Sequence, residues 1–130
     1  MSNFSNETQV VLGAAVWVFG GDGYLKSSEG NAIVKAFKNS RIPWYLEAND
    51  ENYKWIINLY AGGNLHLYDI IDAIENEFNF SLQEKYQLYL IVCLTMDALK
   101  QGSHVDDGWE KARDFRRALG IDRDDYNRWS

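Results

Sequence analysis

Two stretches constrain the fold more than any other feature: residues 10–19 and 88–96 are apolar almost all the way round a helix, not along one stripe. In the first, Val10, Val11, Ala14, Ala15, Val18 and Phe19 recur at helical spacing, and Leu12, Val16 and Trp17 fill the remaining faces. In the second, Leu88, Tyr89, Leu90, Ile91, Val92, Cys93, Leu94 and Met96 do the same. A helix without a polar face must be surrounded, so the two are predicted to pair at the centre of a bundle. Glycines stop both, Gly20-Gly21 and Gly102.

The rest of the chain supplies the covering helices. Asn6 or Ser5 caps the first helix, with Glu7 in its first turn. Ser27 or Ser28 caps a second, with Ile33, Val34 and Phe37 inward and Lys35, Lys38 and Asn39 outward. Pro43, the single proline, closes that segment. Asn49 or Asp50 caps a third helix with Trp55, Ile56, Leu59 and Tyr60 on its inner side and Gly62-Gly63 as its stop. A fourth spans about 65–78 on Leu67, Ile70, Ile71, Ile74 and Phe78, with Asp69, Asp72 and Glu75 facing away. Ser81-Leu82-Gln83-Glu84 is a capping box that opens the fifth. Trp109, Ala112, Phe115 and Leu119 define a sixth ending at Gly120, and Asp122 caps a short seventh with Tyr126 and Trp129 inward. No stretch alternates at period two. The expectation is an all-α, single-domain bundle of about seven helices over residues 1–130.

The order apolar helix, glycine turn, amphipathic helix occurs twice. Gly23 precedes Ile42 by the same separation as Gly102 precedes Ile121, which predicts two similar helix-turn-helix units. The copies differ chemically: Gln101 stands where Asp22 stands and Gly108 where Glu29 stands, while the second copy has acids at Asp106, Asp107 and Glu110.

Charge limits the partners. Nineteen acids against 13 bases give a net charge of -6, which opposes a phosphate backbone, so nucleic acid is not expected as a partner. The first residues have neither a basic nor an apolar signal region, and the longest apolar run is too short to span a bilayer. A cytoplasmic protein without a membrane span is expected. The single cysteine, Cys93, lies inside an apolar run and reads as a small core residue.

Chemistry concentrates at the first glycine turn. Aligned with a calcium loop, Asp22 takes the fifth position, Gly23 the sharp turn, Leu25 the apolar position and Glu29 the closing bidentate position. Val18 and Gly20 fall at the first and third positions and offer no side-chain oxygen, so this is half of a cation site. Acids at helix starts also complement the helix dipole and stabilise turns, and that reading stands beside the cation one.

The phrase Asp22-Gly23-x-Leu25-x-x-x-Glu29 after a helix of alanines and valines, with its eroded echo from Gly102 to Ala118-Leu119-Gly120-Ile121, resembles the TerB-like family of tellurite-resistance proteins. The resemblance implies a non-enzymatic, all-helical bacterial module of a stress or chemical-resistance system. Its interhelical acids would bind a divalent cation such as calcium, with Asp22 and Glu29 as ligands in the first unit. Asp97, Asp106 and Glu110 are the candidates for completing the site from the second.

Two other classes have their own residues. Trp44 and Tyr45 follow Pro43 in a connection, and if exposed they would dock a protein partner in a metal-free interaction domain. His104, Asp106, Asp107 and Glu110 carry the atoms for a small metal-dependent hydrolase, although they divide between a loop and a helix start; His66 reads as surface. Arg113, Arg116 and Arg117 form a basic face, with Glu110 and Asp114 spaced to pair with Arg113 and Arg117.

Overall fold

Why α1 ends up in the middle is visible in its burial. In the computed structural model, which describes residues 4–19, 27–39, 43–44, 51–98 and 105–121, α1 (Glu7–Phe19) buries every residue from Gln9 to Phe19 except Trp17. It packs against all five other helices: α2 (Ser27–Asn39), α3 (Glu51–Ala61), α4 (Leu67–Asp72), α5 (Leu82–Ala98) and α6 (Val105–Leu119). There is no strand among the described residues, and the all-α bundle is the observed architecture. Six helices are described; the seventh, expected around Tyr126 and Trp129, lies outside the described residues.

The two units are interlocked. Of the two amphipathic helices, α2 lies mainly on α5 and also touches α1, α6 lies on α1 and α5 alike, and α1 and α5 touch each other. The arrangement follows from the sequence: a helix apolar all round offers faces to several neighbours, while α2 and α6 each have one stripe to cover them. Ile33, Val34 and Phe37 of α2 and Ala112, Phe115 and Leu119 of α6 are buried as expected, with Lys35 and Lys38 exposed. On α5, Leu88, Tyr89, Ile91 and Val92 are buried, whereas Cys93 is half-buried against the core.

The helix ends follow their sequence signals. Asn6 Oδ1 accepts the Gln9 N–H at 3.0 Å and Gln9 Oε1 accepts the Ser5 N–H at 2.8 Å, so Asn6 is the cap of α1. The capping box of α5 is complete, with Ser81 N–H donating to Glu84 Oε1 at 3.0 Å and Glu84 N–H to Ser81 Oγ at 3.1 Å. After α3, Gly63 takes φ 73° while its N–H donates to the Tyr60 carbonyl and the Asn64 N–H to the Leu59 carbonyl, both at 3.0 Å. That pair of bonds is a Schellman closure, and it needs the left-handed residue that glycine provides.

Three details depart from expectation. Trp55 is 45% exposed; the inner face of α3 centres on Ile56 and turns toward Tyr53, Ile57 and Tyr60. The face of α3 turned to α1 also carries Asn52, whose Oδ1 accepts from Gln9 Nε2 of α1 at 3.2 Å and from Asn6 Nδ2 of its cap at 3.0 Å. The fourth helix is α-helical only to Asp72 and continues as a π turn, Ala73–Glu77, in which the Phe78 N–H reaches the Ala73 carbonyl at 2.8 Å. The sixth helix begins at Val105, a turn earlier than its apolar stripe, so Asp106, Asp107 and Glu110 all lie on it.

One contact yields a stability prediction. A Cβ at Gly30 of α2 would fall on the Tyr53 hydroxyl of α3, with the ring Cζ next at 3.3 Å, and burial pushes that hydroxyl above the usual tyrosine range. Gly30→Ala should gain about 1 kcal/mol of helix propensity yet destabilise the protein, because a rigid ring must move. In the Tyr53→Phe background the hydroxyl is gone, and Gly30→Ala should become neutral or stabilising. Urea denaturation of the four proteins in the cycle measures the reversal.

Candidate functional site

The end of α1, which leads into the glycine turn, is held to α6 by a lysine. Lys111, in the second turn of α6, donates from Nζ to the Trp17 carbonyl at 3.1 Å, and the same Nζ lies 4.8 Å from the centre of the Trp17 ring. The last carbonyls of a helix lack intrahelical partners and carry its negative pole, so a lysine there is doubly favoured, and the indole face adds a cation–π attraction. The contact fastens the start of the second unit's flanking helix to the end of the first unit's central helix. The second turn of α6, one residue after Glu110, therefore lies against the last turn of α1.

The individual candidates fall as follows. Asp106 and Glu110 are four residues apart on α6, hence on one face, and Glu110 is exposed. Glu29 lies in the first turn of α2 and Asp97 in the last turn of α5, two helices that pack together. Asp22, Tyr45 and His104 lie outside the described residues. Among the described residues no three His, Cys, Asp or Glu side chains converge on a common point. His66 is exposed and precedes α4 without a side-chain cap bond. Glu110, Arg113, Asp114 and Arg117 are all exposed, and no ion pair joins them among the described residues.

Trp44 requires a correction. Its docking role depended on exposure, but it is only 6% exposed; the ring stacks on Phe80 with centroids 5.5 Å apart and planes at 19°, and Nε1 donates to Glu7 Oε1 at 3.3 Å. An indole placed in a connection was drawn inward because it found both an aromatic partner and an acceptor. Among the described residues, the large apolar side chains at the surface are instead Trp55, Tyr68 and Leu82.

At the start of α1 the structure assembles a polar cluster that local sequence patterns do not reveal. Trp44 Nε1 donates to Glu7, in the first turn of α1, and the capping box holds Glu84, in the first turn of α5, and the two carboxyls shift each other's titration. Burial pushes the Glu7 carboxyl up, the Glu84 carboxyl pushes the same way, and the Trp44 N–H opposes them; the net direction is upward. Burial pushes Glu84 up as well, but the Ser81 backbone N–H, the Glu7 carboxyl and the Ser81 hydroxyl together outweigh it and leave Glu84 lowered. The signals for Glu7 and Glu84 were both local, a first-turn acid and a capping-box member, and neither announces the other.

Compared with known proteins, the chain matches no family model, no curated protein and no solved structure.

Proposed function

We propose that this chain is a non-enzymatic helical module of the TerB-like kind, serving a bacterial stress or chemical-resistance system and taking a divalent cation at its acidic end. The observation that supports the reading is the Lys111–Trp17 contact, because it sets the start of α6, with Asp106 and Glu110, against the end of α1 that leads to Asp22 and Glu29. A hard cation needs six or more oxygens, more than the first turn supplies alone, and the second unit's acids with backbone carbonyls and water are the nearest source. Among the described residues no helix is long and apolar enough to cross a membrane, in keeping with a cytoplasmic role.

Calorimetry with calcium, magnesium, manganese and zinc tests it. The wild type should release or absorb heat with at least one ion and melt higher in its presence. Asp22→Asn with Glu29→Gln should abolish both effects, and Asp106→Asn with Glu110→Gln should weaken binding at least tenfold, about 1.4 kcal/mol. Absence of heat and of a melting shift with all four ions removes the cation reading.

The second reading is a metal-free protein-interaction domain, favoured by the exposure of Trp55 at 45% and Tyr68 at 78%. It predicts a partner whose capture is lost on Trp55→Ala or Tyr68→Ala in a protein that binds no metal.

A further inference from the structure

We infer that the outward faces of α4 and α6 form one self-complementary surface, on which a second copy of this chain docks with its acidic strip against the basic strip of the first. Both helices pack on α1 and on each other, so their outer faces adjoin. From Leu67 to Glu77 the first strip carries Asp69, Asp72, Glu75 and Glu77 and no base. From Ala112 to Leu119 the second carries three arginines against one acid, Asp114. Arg113 and Arg117 are exposed and four residues apart, hence on one face, with Arg116 half-exposed beside them.

The π turn lines the acids up. In an α-helix a residue five places on points about 140° away, whereas the wider π turn closes over five residues. Glu77 therefore follows Asp72 along one ridge, and Tyr68, an α-turn before Asp72, opens it. Asp72 and Glu77 are exposed, and Tyr68 is 78% exposed.

These charges are not matched within the chain. Glu75 is paired with Lys85 at 2.6 Å, but among the described residues no ion pair joins an acid of this ridge to an arginine of α6, although the two helices touch. A two-fold rotation sets each strip against its complement and makes every contact twice. An arginine laid over the open Tyr68 ring adds a cation–π attraction and takes that ring out of water. The helix α2 also turns two lysines outward, Lys35 and Lys38, but it lies mainly on α5, and α6 is the helix that α4 packs beside. A face two helices wide is small for an interface, so the dimer is weak, with a dissociation constant between about 1 μM and about 1 mM. The inference gives the interaction reading of Tyr68 its occupant and does not depend on a cation.

Sedimentation velocity of the purified full chain tests this from about 10 μM to about 1 mM, in EDTA so that no cation bridges the acids. At about 0.05 M salt the average mass should rise with concentration toward that of a dimer, and at about 0.5 M it should fall back toward the monomer. Asp72→Lys with Glu77→Lys should be monomeric, as should Arg113→Glu with Arg117→Glu. An equal mixture of these two proteins should dimerise again, because every strip then meets its opposite charge. Lys35→Glu with Lys38→Glu alters the net charge as much as the α6 pair does and should still dimerise, while Tyr68→Ala should weaken association several-fold. A wild type that stays monomeric at every concentration and salt overturns the self-docking surface, and a heterologous partner for Tyr68 would then have to be sought. Swapped variants that dimerise alone, a mass that climbs past the dimer, or a mixture that stays monomeric while circular dichroism shows both variants helical overturn it too.

Discussion

Truncating Trp44 to alanine is expected to cost about 3–5 kcal/mol, against a total of roughly 5–15 kcal/mol for an ordinary domain. The side chain is buried, so its removal forfeits apolar contacts and leaves a space that a rigid bundle cannot fully close. It also removes the stacking partner of Phe80 and leaves Glu7 without the Nε1–H donor. Phenylalanine at the same position should recover the stacking and most of the volume and cost less than half as much. Guanidinium titrations of the three proteins decide it. A Trp44→Ala protein within 0.5 kcal/mol of wild type, the range of a surface substitution, would show that the indole is dispensable to the fold and would return it to consideration as a docking residue.

Trp44 also illustrates what was legible in the sequence. Signals that operate within one turn were read correctly: the capping box at Ser81, the cap at Asn6 and the glycine closures at Gly63 and Gly120 each depend on residues that are neighbours in the chain. The all-round apolar helix α1 was legible as well, because burial on every face leaves no alternative reading of composition, whereas on α5 Leu90, Cys93 and Leu94 are only half-buried. Features that depend on distant partners were not. Trp55 and Ile56 are both large and apolar, and which of them faces the core depends on how α3 packs on α1, where Asn52 bonds to Asn6 and Gln9.

The π turn was hidden for a related reason. The series Ile70, Ile71, Ile74 and Phe78 satisfies an α-helix, and the register changes only where the chain must turn to bring Phe80 under Trp44. There Asn79 takes φ 49° and the Phe80 N–H reaches back to the Ile74 carbonyl at 2.9 Å. The Lys111 contact that fastens α6 to α1 was not legible either, because a lysine on a helix surface carries no mark of the carbonyl it will find.

The largest effect should come from placing a charge in the middle of α1. Ala15 is fully buried, with Ala14, Val16 and Leu12 equally enclosed around the same turns. An aspartate there has no described donor waiting for it, and the cost of keeping its carboxylate ionised in such a site is on the order of 4–7 kcal/mol. Taken against a total stability of roughly 5–15 kcal/mol, Ala15→Asp should be largely unfolded at neutral pH. Its folded form would hold the carboxyl protonated, so the folded pKa is raised and the loss should shrink as pH falls toward the ordinary aspartate range. The comparison is Arg113→Asp on the exposed face of α6, which should stay within about 0.5 kcal/mol of wild type. Circular dichroism and urea titrations at neutral and mildly acidic pH separate the outcomes. If Ala15→Asp folds at neutral pH as well as Arg113→Asp does, α1 is not enclosed on every side, and the bundle must be organised around α5 alone.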